Sequence, residues 1–235
     1  RRPFFTNVRE PFSVDVVKTL AKLLGLSFLM LPIVAILIGT VFSAIGSDVP
    51  DTSEGFDDLQ RSSYFFFAAV IMAPLIEEVL FRSWLGSRLG IWVGLPVIFF
   101  LTVTVMLAVA GPENTKSFNR LVTLALMLYG LTLWNRRKAI FGPDDEDGKS
   151  ITETVFPFLF WGSAIVFGLI HLGNFDIGSV NPIFAIIILP QFIVGLMLSY
   201  IRMRFGLLYA IGFHAAYNGV LVSISMLAMQ AASGA

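Results

Sequence analysis

Runs of about twenty apolar residues recur along this 235-residue chain, the length an α-helix needs to cross about 30 Å of hydrocarbon. Seven windows meet or approach it, at about 20–45, 63–86, 91–110, 119–134, 154–172, 182–201 and 206–229. Composition agrees: 56% hydrophobic residues, 14% charged residues and a mean hydropathy of +0.81 exclude an ordinary soluble fold. The expected class is all-α, a polytopic transmembrane helical bundle of about seven spans forming one membrane domain over residues 1–235. The first window is too long for the apolar core of a signal peptide, about 7–15 residues, and no small-residue cleavage pattern follows it. The chain begins at Arg1 and not at Met, so sequence before it is expected to be missing.

Orientation follows from the basic residues, which prefer cytoplasmic loops, whereas acidic ones decide little. Arg1, Arg2, Arg9, Lys18 and Lys22 precede the first window, Arg88 follows the second, and Arg136, Arg137, Lys138 and Lys149 follow the fourth. Arg202 and Arg204 follow the sixth; the alternate loops hold only Arg61, Lys116 and Arg120. Charge and alternation together predict a cytoplasmic N-terminus and an external C-terminus. Trp84, Trp92, Trp134 and Trp161 then fall toward cytoplasmic ends and read as interfacial anchors. Asp48 to Arg61 reads as an acidic external loop broken by Pro50 and Gly55, and Gly142 to Gly148 as a solvated internal turn.

Sixteen Lys and Arg balance sixteen Asp and Glu, leaving no basic excess to neutralise a phosphate backbone, so no nucleic-acid partner is expected. The absence of cysteine removes disulfides, thiolate nucleophiles and Cys-ligated zinc.

Away from their ends the predicted spans carry just five ionisable side chains: Glu77, Glu78, Arg82, His171 and His214. Each charge near a bilayer centre costs about 2.5–3.5 kcal/mol on insertion scales, so such groups turn inward, pair, or line a wet cavity. Glu78 and Arg82 stand one helical turn apart in the order that favours an ion pair, while Glu77 points about 100° away toward another neighbour. That spacing suggests a division in which one carboxylate is satisfied within its own helix and the other is free for chemistry. Phe167 and His171 share a face, as do His214 and Asn218. Singly, each group has an ordinary structural reading: a lone intramembrane His or Asn is often interhelical glue, and Glu78 with Arg82 reads as a structural pair. Convergence of a base candidate, two imidazoles and an amide on three spans shifts the balance toward chemistry. Small residues beside them, Gly162 and Gly168 before His171 and Gly212, Ala215, Ala216 and Gly219 around His214, predict close helix packing.

Glu77-Glu78-x-x-x-Arg82, Phe167-x-x-x-His171 and His214-x-x-x-Asn218, in that order on separate apolar stretches with Pro74 before the Glu pair, resemble the CPBP family of intramembrane proteases. That family includes the type II CAAX prenyl endopeptidases and the Abi and bacteriocin self-immunity proteins. The resemblance implies that Glu77 is the general base activating a water, that His171 helps orient the water, and that His214 and Asn218 form the oxyanion-stabilising side. Glu78, Arg82 and Phe167 would be supporting residues. The motif-bearing core covers about 63–229, with inserted helices at about 91–134 between the first two motifs. The implied partners are the lipid bilayer and a peptide or protein substrate, lipidated or not, and the implied location is a prokaryotic plasma membrane.

No cofactor is expected. The alternative is a zinc-dependent version with Glu77, His171 and His214 as ligands, although no His-Glu-x-x-His helix is present. Two other classes compete: a non-catalytic immunity or binding protein, and a proton-coupled transporter, which also needs intramembrane Glu and His. Counting 1.5 Å per residue puts Glu77 and His214 about 12–14 Å from the cytoplasmic ends of their spans and His171 about 25 Å from its own. The fifth helix is therefore expected to begin in the cytoplasm, or Gly173 to Asp176 to fold at membrane depth, with Asn174 as an extra polar lining.

Overall fold

The structure, a computed structural model, describes residues 11–85, 90–110, 146–176 and 186–233. The predicted span at 119–134, the basic cluster Arg136 to Lys138 and the start of the Gly142 turn lie outside them. Among the described residues the secondary structure is helical, with no strand and a single isolated antiparallel bridge between Thr52 and Phe175.

Helix α1, Val14–Ala44, starts ahead of its apolar window because the Ser13 hydroxyl caps it, accepting from the Val16 N–H at 3.3 Å, and Asp15 sits in its first turn. Helix α2, Glu54–Arg61, lies in the predicted acidic loop. Gly55 is thus no breaker but part of that helix, where the Thr52 hydroxyl donates to Asp57 Oδ1 at 2.6 Å. On its apolar side Phe56 meets Phe65 edge to face, with ring centroids 6.4 Å apart.

Helix α3 runs through Phe65–Phe67, a π-helical turn at Ala68–Met72 and then Ala73–Arg82. Helix α4 opens on a second π-helical turn at Gly90–Gly94 and continues through Leu95–Ala110. Helix α5, Glu146–Ile170, ends in a 3-10 turn at His171–Asn174. Helices α6, Leu189–Arg204, and α7, Leu207–Ser233, complete the order. Glu146 to Gly148 lie in helix α5, which corrects their reading as part of a solvated turn.

Among the described residues, four helices are long and apolar enough to cross a membrane: Val14–Ala44, Val155–Asn174, Ile186–Arg204 and Leu207–Ala231. Trp92–Thr104 is a shorter apolar helix. On α1 the side chains of Leu29, Ile33, Ile36 and Leu37 are exposed, a patch that water would penalise and lipid tails would not.

The chain forms two compact units. One holds Trp84–Leu172 and Ile177–Leu196; the other holds Val8–Ser83, Gly173–Asp176 and Met197–Ala235. Within the first, small residues let helices approach: a Cβ on Gly162 would press on Ile98, one on Gly168 on Ile188, and one on Gly195 on Phe167. Trp84 is 1% exposed, which corrects its reading as an interfacial anchor; its indole packs over Gly94, where a Cβ would collide with the ring. Gly94→Ala is accordingly expected to cost about 1–3 kcal/mol through overpacking, measured as a lower melting temperature in detergent.

Within the second unit, Phe65, Val70 and Val222 form a buried cluster joined by Leu59 and Ala69. Gly219 lets α7 approach Val70, and Phe28 stacks on Tyr217 at 5.2 Å. Gly212, by contrast, has nothing within 4 Å of its Cβ position and marks no contact. The segment after the 3-10 turn pairs with the segment before α2: Ser53 N–H donates to Asn174 O and Asp176 N–H to Asp51 O, both at 2.9 Å.

Candidate functional site

Glu77, Glu78 and Arg82 sit on α3 and His214 and Asn218 on α7, all within the second unit. Arg82 Nη1 donates to Glu78 Oε1 at 2.8 Å, and both side chains are fully buried. This is the predicted one-turn ion pair. The Arg82 guanidinium also lies 5.8 Å from the centroid of the neighbouring Phe81 ring.

The same Glu78 Oε1 faces His214 Nδ1 at 2.9 Å. A carboxylate held by a guanidinium only accepts, so Nδ1 carries the hydrogen and donates it. The ring's other nitrogen, Nε2, then looks at Glu77 Oε2 from 3.7 Å, beyond hydrogen-bond range. Glu77 Oε2 is buried and has no hydrogen-bond partner, while the Glu77 side chain as a whole is 22% exposed.

The two carboxylates therefore do not diverge toward different neighbours, as a 100° helical step suggests. They converge on opposite nitrogens of one imidazole, because glutamate side chains are long enough to reach round it. The result is a chain of charge, Arg82 to Glu78 to His214 to Glu77, in which the ion pair fixes the orientation of the ring and the ring faces the remaining carboxylate.

Asn218, one turn beyond His214, donates from Nδ2 to the backbone carbonyl of Ala69 at 2.8 Å. That carbonyl belongs to the π-helical turn of α3. Arg202, in the last turn of α6, reaches the end of α3. Its Nε donates to Arg82 O at 3.0 Å and its Nη2 to Ser83 O at 3.2 Å, so it caps the carbonyls left open where α3 ends. Nothing local in the sequence marks Arg202 for this task; Pro74 is the one signal that α3 is irregular. Arg202→Ala is expected to lower the melting temperature by an amount equivalent to about 1–3 kcal/mol, the range for hydrogen bonds to a charged group, with Arg202→Lys falling between.

His171 and Phe167 lie in the first unit. As the shared face predicts, they touch: ring centroids are 4.9 Å apart, and His171 Nδ1 donates to Phe167 O at 2.7 Å. A carbonyl can only accept, so in the neutral ring Nε2 bears the lone pair. Asn174 contributes its backbone carbonyl to the contact with Ser53. Among the described residues no group of three His, Asp or Glu side chains is placed to hold a metal ion; the zinc alternative finds no such ligand set there.

Residues 149–220 match the family model described as Type II CAAX prenyl endopeptidase Rce1-like, the family the three motifs resemble. The match includes His171, His214 and Asn218. No curated protein and no solved structure matches the chain.

Proposed function

We propose that this protein is a multi-pass intramembrane endopeptidase that hydrolyses a peptide bond with a water activated by Glu77. The observation that carries the reading is the placement of Glu77 beside His214 Nε2, backed by the Glu78 and Arg82 ion pair. Glu77 Oε2, buried and without a hydrogen-bond partner, can accept one hydrogen of a water and leave an oxygen lone pair for attack on a carbonyl carbon. Glu77 would then accept the proton as the water adds.

To His171 we assign the part that the resemblance implies, helping to orient that water; its Nδ1 donates to Phe167 O. The resemblance gives the oxyanion side to His214 and Asn218, of which Asn218 already donates from Nδ2 to Ala69 O. Because Nδ1 already donates to Glu78, His214 can donate from Nε2 only with both nitrogens protonated. Glu78 would stabilise the ring in that form, as the buried carboxylate does in a Ser-His-Asp triad. No metal and no cofactor enters this scheme.

The match to the prenyl endopeptidase family model supports a peptidase and makes a prenylated C-terminal peptide the first substrate to try. Four apolar helices of membrane length support an integral membrane protein, for which we retain about seven spans, a cytoplasmic N-terminus and a prokaryotic plasma membrane. The bridge between Thr52 and Phe175 supports an even number of crossings between those residues, as four spans at 63–86, 91–110, 119–134 and 154–172 require.

The test compares peptides accumulating in cells that carry wild type or Glu77→Gln, together with ion flux in proteoliposomes. Uncut precursors in the variant alone, without flux driven by a pH gradient, are expected. Flux abolished by the same substitution, with no difference in peptides, would establish a transporter instead.

A further inference from the structure

We infer that Asn218 is a positioning residue: it holds the glutamate helix in register by satisfying a carbonyl that Pro74 leaves without a backbone donor. The inference rests on the peptidase reading for its catalytic consequence, and on α3 and α7 alone for its structural half.

Two local features create the need. In the π-helical turn Ala68–Met72, the Ala73 N–H donates five residues back, to Ala68 O. The next donor in that register, the one that would serve Ala69 O, belongs to residue 74. Residue 74 is proline and has no N–H. The lost bond falls inside a hydrophobic cluster where Phe65 and Val70 are buried and Ala69 packs against them, so water is a poor substitute.

Asn218 Nδ2 supplies the missing donor at 2.8 Å from α7. Its neighbours reinforce the fit. Gly219 brings α7 against Val70, and Val222 packs on Phe65 and Val70.

The functional consequence follows from helix geometry. A π-helical turn inserts one residue, which rotates everything after it by about 100° relative to an unbroken helix. Glu77 and Glu78 come nine and ten residues after the turn begins, so their facing toward His214 depends on the turn being held. Two polar contacts hold it from α7, His214 to the carboxylates beyond the turn and Asn218 to the carbonyl within it. Asn218 therefore acts on the reaction through Glu77. One of its amide hydrogens is spent on the backbone, which distinguishes it from a residue serving the oxyanion alone.

Supplying the missing backbone donor provides the test. Pro74→Ala gives residue 74 an N–H, and the turn stays pinned by the Phe65 cluster on one side and His214 on the other. Wild type, Asn218→Ala, Pro74→Ala and the double variant are purified, and melting temperature, kcat and KM are measured for each. Asn218→Ala is expected to lower the melting temperature and to reduce kcat by about 100-fold, the scale of a 1 Å misplacement, with KM little changed. Adding Pro74→Ala is expected to recover most of both losses, a favourable coupling between two sites that share one carbonyl.

A double variant as inactive as Asn218→Ala, or effects that simply add, would overturn the inference and return Asn218 to the oxyanion. Should the double variant not purify, Asn218→Asp decides: a carboxylate facing Ala69 O must melt below Asn218→Ala, and melting at or above it refutes the contact. Coupling in melting temperature without any cleavage by wild type would sink the peptidase reading and leave the structural inference standing.

Discussion

Glu77→Gln is expected to reduce kcat by at least about 10²–10⁴-fold, the usual contribution of a positioned general base, while the variant inserts, purifies and melts like wild type. Glutamine has the same shape, so packing is preserved, and Glu77 Oε2 makes no hydrogen bond whose loss would destabilise the fold. The amide cannot accept the proton of a water, so only chemistry is removed. The measurement is cleavage of a fluorogenic prenylated peptide by purified protein in detergent, beside a thermal melt. Turnover at the wild-type rate would end the glutamate-base proposal; a collapsed melt would move Glu77 into the structural framework.

Arg82→Ala is expected to have the opposite profile, a large loss of stability that precedes any statement about activity. Both partners of the ion pair are 0% exposed, and removing the guanidinium leaves the Glu78 carboxylate facing His214 alone of the two groups that hold it. Breaking a buried pair from one side costs about 3–5 kcal/mol, because the surviving charge stays desolvated. Replacing both partners, Arg82→Met with Glu78→Gln, is expected to melt higher than Arg82→Ala alone, since no charge is then stranded. A single variant that melts within a degree of wild type would show that the charge is relieved some other way.

The two expectations differ because adjacent carboxylates occupy different environments. Glu78 is fully buried between Arg82 and His214, whereas Glu77 retains 22% exposure and faces the far side of the same ring. Helical spacing alone assigns Glu78 to Arg82, and this pairing was legible in the sequence because residues four apart must share a face. It also assigns Glu77 to a separate neighbour, which the fold corrects: side-chain reach, not backbone angle, decides which imidazole nitrogen each oxygen meets.

The sequence by itself determined the class of fold and the candidate residues. Apolar runs of membrane length permit only helices to be the local structure here, and charges inside such runs are too costly to be incidental, so Glu77, Glu78, Arg82, His171 and His214 announce themselves. The pairings within one helix, Glu78 with Arg82 and Phe167 with His171, follow from a fixed 3.6-residue period.

Tertiary structure alone decided the contacts that join distant stretches. Arg202 on the end of α3, Asn218 on Ala69 O, Trp84 over Gly94 and the bridge from Thr52 to Phe175 depend on where helices cross and which backbone groups they leave open. A repeating pattern specifies which face of a helix turns inward. It does not specify which carbonyl on a neighbouring helix lacks a donor, because that lack arises only when a proline, a widened turn and an approaching amide meet in space.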